Sequence, residues 1–224
     1  MEQDKKAEGT KREANTKQKI LDTAIELFAE KDYNSVSIRE IAKAVGIKGS
    51  SIYNHFESKE EILDAILGHH MEVSNEVFQG FFEAPHINYQ LASMSLEAIL
   101  LSSMMVSFKF MEFPNMDKIF KILSKEQLNN DKIRNFFLTE YIVRPREEMQ
   151  KIFQELVEKG LIKPYDPKHL AAEFHGYVMY KFYENYMLRR DQILDFEAMQ
   201  EDFGKHIKFF CEAIKKAPKE ELMD

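Results

Sequence analysis

One cysteine, Cys211, is all that the 224 residues contain, which excludes an internal disulfide and a multi-cysteine zinc site and fits a reducing cytoplasm. Glycine and proline number only 8 and 6, too few for a loop-rich all-β protein or a disordered linker protein, whereas long helices use little of either. Long hydrophobic runs are missing. The apolar stretch in the middle of the chain, Ala98 to Phe108, is eleven residues between Glu97 and Lys109, too short to cross a bilayer. The opening Met1-Glu2-Gln3-Asp4-Lys5-Lys6 lacks the apolar core of a signal peptide. Positive charge is not in excess: 31 Lys and Arg against 38 Asp and Glu leave a net charge of −7, so nucleic-acid binding does not follow from bulk charge. What is present is a globular balance, 44% hydrophobic and 31% charged, with enough apolar material for a sizeable core. The expectation is an all-α, cytoplasmic protein with no membrane association.

Residues 1–15 are polar and mixed in charge and read as a flexible N-terminal arm, either a solvated tail or one whose lysines touch an anionic partner. Thr16 is the expected cap of a helix with Ile20, Leu21, Ala24, Ile25, Leu27 and Phe28 on its apolar side, ending near Lys31. Ser37-Ile38-Arg39-Glu40 is a capping box, followed by Ile38, Ile41, Ala42 and Val45 at helical spacing and a stop at Gly46. A third short helix is expected from about Lys48 to His55, burying Ile52, before a second capping box, Ser58-Lys59-Glu60-Glu61, opens a long helix. Two short helices joined by a glycine-containing turn form a helix-turn-helix unit. A plain helical corner is the alternative, and the polar face of the third helix discriminates. Lys48, Ser50, Ser51, Asn54 and His55 are short or cationic donors, with Tyr53 among them and no acidic residue, so this face can approach phosphates although the chain is acidic.

The stretch from Ile20 through Leu63 closely resembles the N-terminal domain of the tetracycline-repressor (TetR) family of transcription regulators. The landmarks stand in order: Ala24-Ile25-Glu26-Leu27-Phe28, Ser37-Ile38-Arg39-Glu40-Ile41-Ala42, Val45-Gly46-Ile47, Tyr53-Asn54-His55-Phe56 and Ser58-Lys59-Glu60-Glu61. One departure is Ser50, where most members carry a glycine; here Gly49 stands one position earlier. The resemblance implies that Lys48, Gly49, Ser50, Ser51 and Asn54 lie nearest base edges, while Ser37, Tyr53, His55 and Lys59 anchor phosphates. It also implies a 16–64 DNA-binding domain, a 65–224 ligand-binding and dimerisation domain, and a homodimer on an inverted-repeat operator in double-stranded DNA, most simply as a repressor released by a ligand.

Beyond Met71 the composition shifts toward Phe, Met and Tyr, and helices are expected at about 58–82, 88–111, 115–125, 131–159, 167–190 and 196–215, with prolines at their boundaries. Pro145 should kink or split the 131–159 segment, Gly160 should cap it, and Asp166-Pro167 should start the next helix. The helix near 88–111 is apolar enough to be the centre of a bundle. Its methionines read either as core or as the lining of a flexible cavity. On the second reading Met71, Phe78, Met104, Phe108, Phe137, Tyr141, Phe174 and Tyr177 would surround a small hydrophobic ligand, with Glu97, Tyr141, Tyr177 or His175 orienting it and highly charged metabolites disfavoured. In the last helix Phe196, Met199, Phe203, Ile207, Phe210 and Ile214 form one stripe. By resemblance this stripe, with Tyr183, is the expected dimer interface.

Other chemistries find little support. His69 and His70 point about 100° apart on a helix, His169 and His175 are also off the spacing that chelates one ion, and no metal is expected. Cys211 reads as a packing residue. No phosphate-binding glycine loop, nucleophile elbow or convergent carboxylate pair stands out, so neither a cofactor nor enzymatic activity is expected. A helical scaffold for a protein partner remains the alternative. It would use the same aromatic stripes but would show no salt-dependent DNA binding.

Overall fold

Strong helix formers fill the beginning of the chain, and in the computed structural model they carry helix α1 from Glu2 to Glu30. The structure describes residues 2–82, 94–188 and 196–216, with side chains left out for 2–12, 78–82, 186 and 196. The segment expected as a flexible arm is therefore helical from Glu2, and Thr16 lies inside α1 rather than capping it. The Lys and Glu that make this segment polar are, like its Ala residues, good helix formers, which explains the difference.

A 3-10 turn, Tyr33–Ser35, leads to α2 (Ile38–Val45), α3 (Gly49–Ile52) and α4 (Lys59–Phe82). Then come α5 (Leu96–Glu112), α6 (Met116–Glu126) and α7 (Asp131–Phe137), the last running into a π-helical turn, Leu138–Val143. The chain continues through α8 (Arg144–Glu158), α9 (Pro167–Tyr183) with a second π-helical turn, Glu184–Leu188, and α10 (Phe196–Ile214). Among the described residues there is no strand, only an isolated antiparallel bridge between Ile162 and Lys215. The helices between residues 58 and 188 fall close to the sequence expectation except α5, which starts at Leu96 rather than near 88: Ser95 Oγ accepts from Ala98 N–H at 3.2 Å and caps it there, and 88–93 lie outside the described residues. Pro145, which has no N–H to donate, stands in the first turn of α8, directly after the π-helical turn Leu138–Val143. Gly160 takes the left-handed conformation after α8 (φ 67°), and the Asp166 side chain accepts from Lys168 N–H at 3.0 Å to cap α9.

The chain divides into two compact units, Met1–Phe78 with Phe108–Arg134, and Gln79–Ser107 with Asn135–Asp224. The first has a core of Ile20, Ala24, Ile25 and Phe28 from α1, Ile41 from α2, Ile52 from α3 and Ile62, Leu63 and Ile66 from α4. Helix α6, distant in sequence, packs on α1 and buries Met116, Ile119, Phe120 and Leu123. A row of polar contacts follows the same seam: Asn115 Nδ2 donates to Asp22 Oδ1 at 3.2 Å, and Lys118 Nζ pairs with Glu26 at 3.1 Å. At its end Lys125 Nζ reaches the Ala29 and Lys31 carbonyls at 3.5 and 3.4 Å, near the exposed C-terminal carbonyls of α1.

In the second unit α9 packs against α8 and α10. Phe153 of α8, Phe174 and Tyr177 of α9, and Phe203 and Phe210 of α10 form one aromatic cluster, with Phe174–Phe210 centroids 5.4 Å apart and Tyr177–Phe203 5.7 Å. Lys163 fastens the end of α10: its backbone N–H donates to Ile214 O and its ammonium to Ala213 O, each at 2.8 Å.

One expectation about α5 needs correction. Leu101 and Met105 are exposed, and with Glu97, Lys109 and Glu112 they form an open stripe, so this helix is not covered on every side. Apolar composition alone did not reveal that stripe, because two of its five positions are themselves apolar.

Candidate nucleic-acid interface

The local sequence of α2 sets its ends. Ser37 Oγ accepts from Glu40 N–H at 3.2 Å, and the Glu40 carboxyl sits below the usual range, first through the Lys31 hydrogen bond and also through the Ser37 backbone N–H. The capping box is thus complete, and the acid of α2 is matched by Lys31. At the other end Gly46 adopts φ 81°, ψ 28°. Gly46 N–H bonds to Lys43 O at 3.2 Å and Ile47 N–H to Ala42 O at 3.0 Å, the paired bonds of a Schellman motif. A side chain at Gly46 would be strained by that positive φ, which makes the turn depend on glycine.

Helix α3 is shorter than expected, four residues, because Gly49, Ser50 and Ser51 are poor helix formers. Two further turn bonds, His55 N–H and Phe56 N–H to Ile52 O at 2.8 and 2.9 Å, continue its course. Ile52 and Phe56 are buried, and burial of two such side chains contributes about 3–6 kcal/mol of hydrophobic stabilisation. They fix which face of the segment looks outward. On that outward face Lys48, Ser50 and Asn54 are exposed, Gly49, Ser51 and His55 are partly exposed, and Tyr53 is 58% exposed. Tyr53 is therefore not consumed in packing. Arg39 and Lys43 of α2 are exposed as well, and no acidic residue occurs from Lys43 to Phe56.

The capping residues of α4 behave slightly differently from the sequence pattern. Ser58 Oγ accepts from Glu61 N–H at 3.1 Å, while the Glu61 carboxylate reaches Glu57 N–H. Lys59 turns inward: its Nζ donates to Tyr33 O at 2.9 Å and Val36 O at 3.0 Å and lies 4.3 Å from the Tyr33 ring centroid. Burial lowers its ammonium pKa. Tyr33 N–H, from the same turn, donates to the buried Glu126 Oε1 at 2.7 Å. Burial first, then the nearby acids Glu60, Asp64 and Glu126, push the Tyr33 phenol up to about 12. The segment entering α2 is thus held by α4 on one side and α6 on the other. Glu126 escaped the sequence reading because a Lys-Glu pair near a helix end looks solvated, and nothing local announces a partner 93 positions away.

Residues 20–66 match the profile of the bacterial regulatory proteins of the tetR family. Over residues 20–66 the chain is thus similar to the tetR-family regulators. A 61-residue stretch is 41% identical to the HTH-type transcriptional repressor KstR2 of Rhodococcus jostii, covering 27% of this chain and 30% of that protein. A 48-residue stretch is 50% identical to IcaR of Staphylococcus aureus, a negative transcriptional regulator of the biofilm operon icaADBC, covering 21% of this chain and 26% of that one. The chain thus aligns with under a third of the length of these curated relatives. A transcriptional regulator of Saccharomonospora viridis, solved in complex with choline, shares the fold with a TM-score of 0.63 and 18% identity, over 91% of this chain and 100% of that one.

The other residues expected to be functional are distributed as follows. Met71 on α4 and Phe108 on α5 belong to the first unit; Met104, Phe137, Tyr141, Phe174 and Tyr177 belong to the second. Phe137 stacks on Tyr141 at 5.0 Å, and Phe174 and Tyr177 sit in the aromatic cluster with α10. The side chains of Phe78 and Phe196 lie outside the described residues. Met199, Phe203, Ile207 and Phe210, the stripe expected to face a second subunit, are buried by the chain's own helices. A helical stripe signals burial but not whose surface does the burying, and here α8 and α9 supply it. Among the described residues, the large apolar side chains left open on this helix pair are Tyr180, Tyr183 and Phe209. Cys211 is buried, and burial, followed by Glu97, pushes its thiol up to about 12, so it is an inert packing group. Among the described residues no group of three or more His, Cys, Asp and Glu is placed to hold a metal, and no helix is long and apolar enough to cross a membrane.

Proposed function

We propose that the chain is a dimeric, ligand-responsive transcriptional repressor that acts in the cytoplasm and binds an inverted-repeat operator. The observation that carries this reading is the outward face of α3, acid-free from Lys43 to Phe56, with Tyr53 exposed and the helix anchored beneath by Ile52 and Phe56. In this reading residues 16–64 bind DNA. Lys48, Gly49, Ser50, Ser51 and Asn54 approach base edges, and Ser37, Tyr53 and His55 lie on the phosphate side; Lys59, expected there from the sequence, instead holds the turn before α2 through the Tyr33 and Val36 carbonyls. A chain of net charge −7 must concentrate its attraction on that face, so affinity falls steeply with salt.

Residues 65–224 take the ligand and dimerise, the second protomer resting on α9 and α10. That a regulator of this fold from S. viridis was solved in complex with choline supports a small-molecule ligand for the chain. The low charge of α5 favours a small ligand with a largely apolar body. Selection of the full chain against random DNA is the deciding experiment. Enrichment of an inverted repeat bound in a salt-dependent way supports the proposal. Absence of any enriched sequence, with weak binding indifferent to salt, refutes it in favour of a protein-binding scaffold.

A further inference from the structure

Two arginines flank Pro145 in the second unit, and their surroundings differ. Arg144 pairs at 3.1 Å with Glu140, whose side chain is only 6% exposed, so that charge is neutralised within the chain. Arg146 has no carboxylate within ion-pair distance among the described residues. Its Nε–H instead donates to Nδ1 of His175, a long bond of 3.4 Å from α8 to α9. His175 is 7% exposed, and burial first, then the Arg146 charge, hold its pKa at about 4. At neutral pH the ring is therefore an uncharged acceptor, which fixes the plane of the guanidinium without cancelling its charge. The Nε edge is used, and the two terminal nitrogens remain as a planar fork. Neither is among the sealed, unpartnered polar atoms of the interior, and Arg146 as a whole is half-buried. A half-buried cation without a counter-ion costs desolvation energy that a bound anion would recover, and a fixed guanidinium fork matches a carboxylate in two parallel hydrogen bonds.

We propose that Arg146, oriented by His175, is the anchor for the carboxylate of an amphipathic ligand, a monoacid with an apolar body. This rests on the reading of residues 65–224 as the ligand-binding part, and it deepens that reading by naming the head group. One arginine with no acid at ion-pair distance among the described residues fits one negative charge, and the buried Met149, Ile152, Phe174 and Val178 that α8 and α9 carry are side chains of the kind that would suit an apolar remainder. The sequence offered a faint signal in Arg144-Pro145-Arg146, two cations beside a helix break, but only the structure shows that Glu140 answers one of them.

The test is calorimetric titration of the full chain, without DNA, using octanoate and its neutral counterpart octanamide. The expected result is octanoate binding at least tenfold tighter than octanamide. Arg146→Gln should bind both with the affinity the parent has for octanamide, and Arg146→Lys, which keeps the charge but not the fork, should show a reduced preference. Circular dichroism melting of each variant confirms that it is folded. Equal affinities in the parent, or a preference that survives Arg146→Gln, overturns the assignment. Binding of octanamide alone does so too while leaving the apolar-ligand reading intact, and binding of neither overturns the assignment without touching the DNA reading, which is measured without ligand.

Discussion

The Glu126 carboxylate accepts a 2.7 Å hydrogen bond from the backbone N–H of Tyr33, tying α6 to the turn that precedes α2. The contact is buried, so an N–H deprived of it would have no water to replace the lost acceptor. Glu126→Ala should destabilise the protein by about 1–3 kcal/mol in urea unfolding. Glu126→Gln, which keeps an acceptor oxygen at that position, should lose less. Equal stability of all three proteins would show that the contact contributes nothing.

Tyr53 is exposed beside an acid-free helix face, so its hydroxyl is available to an external partner. Tyr53→Phe should weaken binding to every DNA sequence by about 1 kcal/mol, since it removes one donor and keeps the ring. Fluorescence anisotropy with the selected operator and with a scrambled duplex checks this. A loss confined to the operator would assign Tyr53 to base reading instead.

Two phenylalanines on α10 separate folding from association. Phe203 is fully buried in the aromatic cluster, whereas Phe209 is 71% exposed. Phe203→Glu places a charge in the core and should cost several kcal/mol, about enough to unfold the unit. Phe209→Glu should keep the melting temperature of the isolated protomer and convert the dimer to monomer in sedimentation. A Phe209→Glu protein that stays dimeric would move the interface away from this face.

His175 makes stability sensitive to acid. Its pKa is near 4 in the folded chain against 6.5 in the unfolded one, so between those values the unfolded state binds more protons. This group's contribution is therefore full above pH 6.5 and shrinks as pH falls toward 4. Between pH 7 and pH 5 the loss should be about 2 kcal/mol. Urea unfolding at the two pH values measures it, and His175→Asn should remove that part of the pH dependence.

Local signals were legible because they act over four residues or fewer. Ser37, Gly46, Gly160 and Asp166 each cap the helix end that the sequence assigns to them. The outward set on α3 was readable for the same reason, once Ile52 and Phe56 were taken as the inward pair. What escaped depends on partners far along the chain. Lys59 looks like a surface lysine at a helix start, and only the carbonyls of Tyr33 and Val36 turn it inward. The stripe on α10 was visible as a stripe, yet periodicity is the same whether the covering surface belongs to α8 and α9 or to another copy. At the beginning of α1 a polar composition signals an arm, yet the helix propensity of the same residues decides the outcome.

The π-helical turn at Leu138–Val143 acts as a phase shifter between two helices. A π turn holds one residue more than the α turn it replaces, and each residue advances a helix by about 100°. The angular positions of Arg144 and Arg146 around the axis, measured from Phe137, are therefore set by that single extra residue. Deleting one residue from 138–143 would turn the whole of α8 by about 100° around the axis as measured from Phe137. Arg146 would then leave His175, and Phe153 would leave its aromatic neighbours, although every side chain in α8 itself would be unchanged. A six-residue segment with no buried member thus decides what the next fifteen residues can touch.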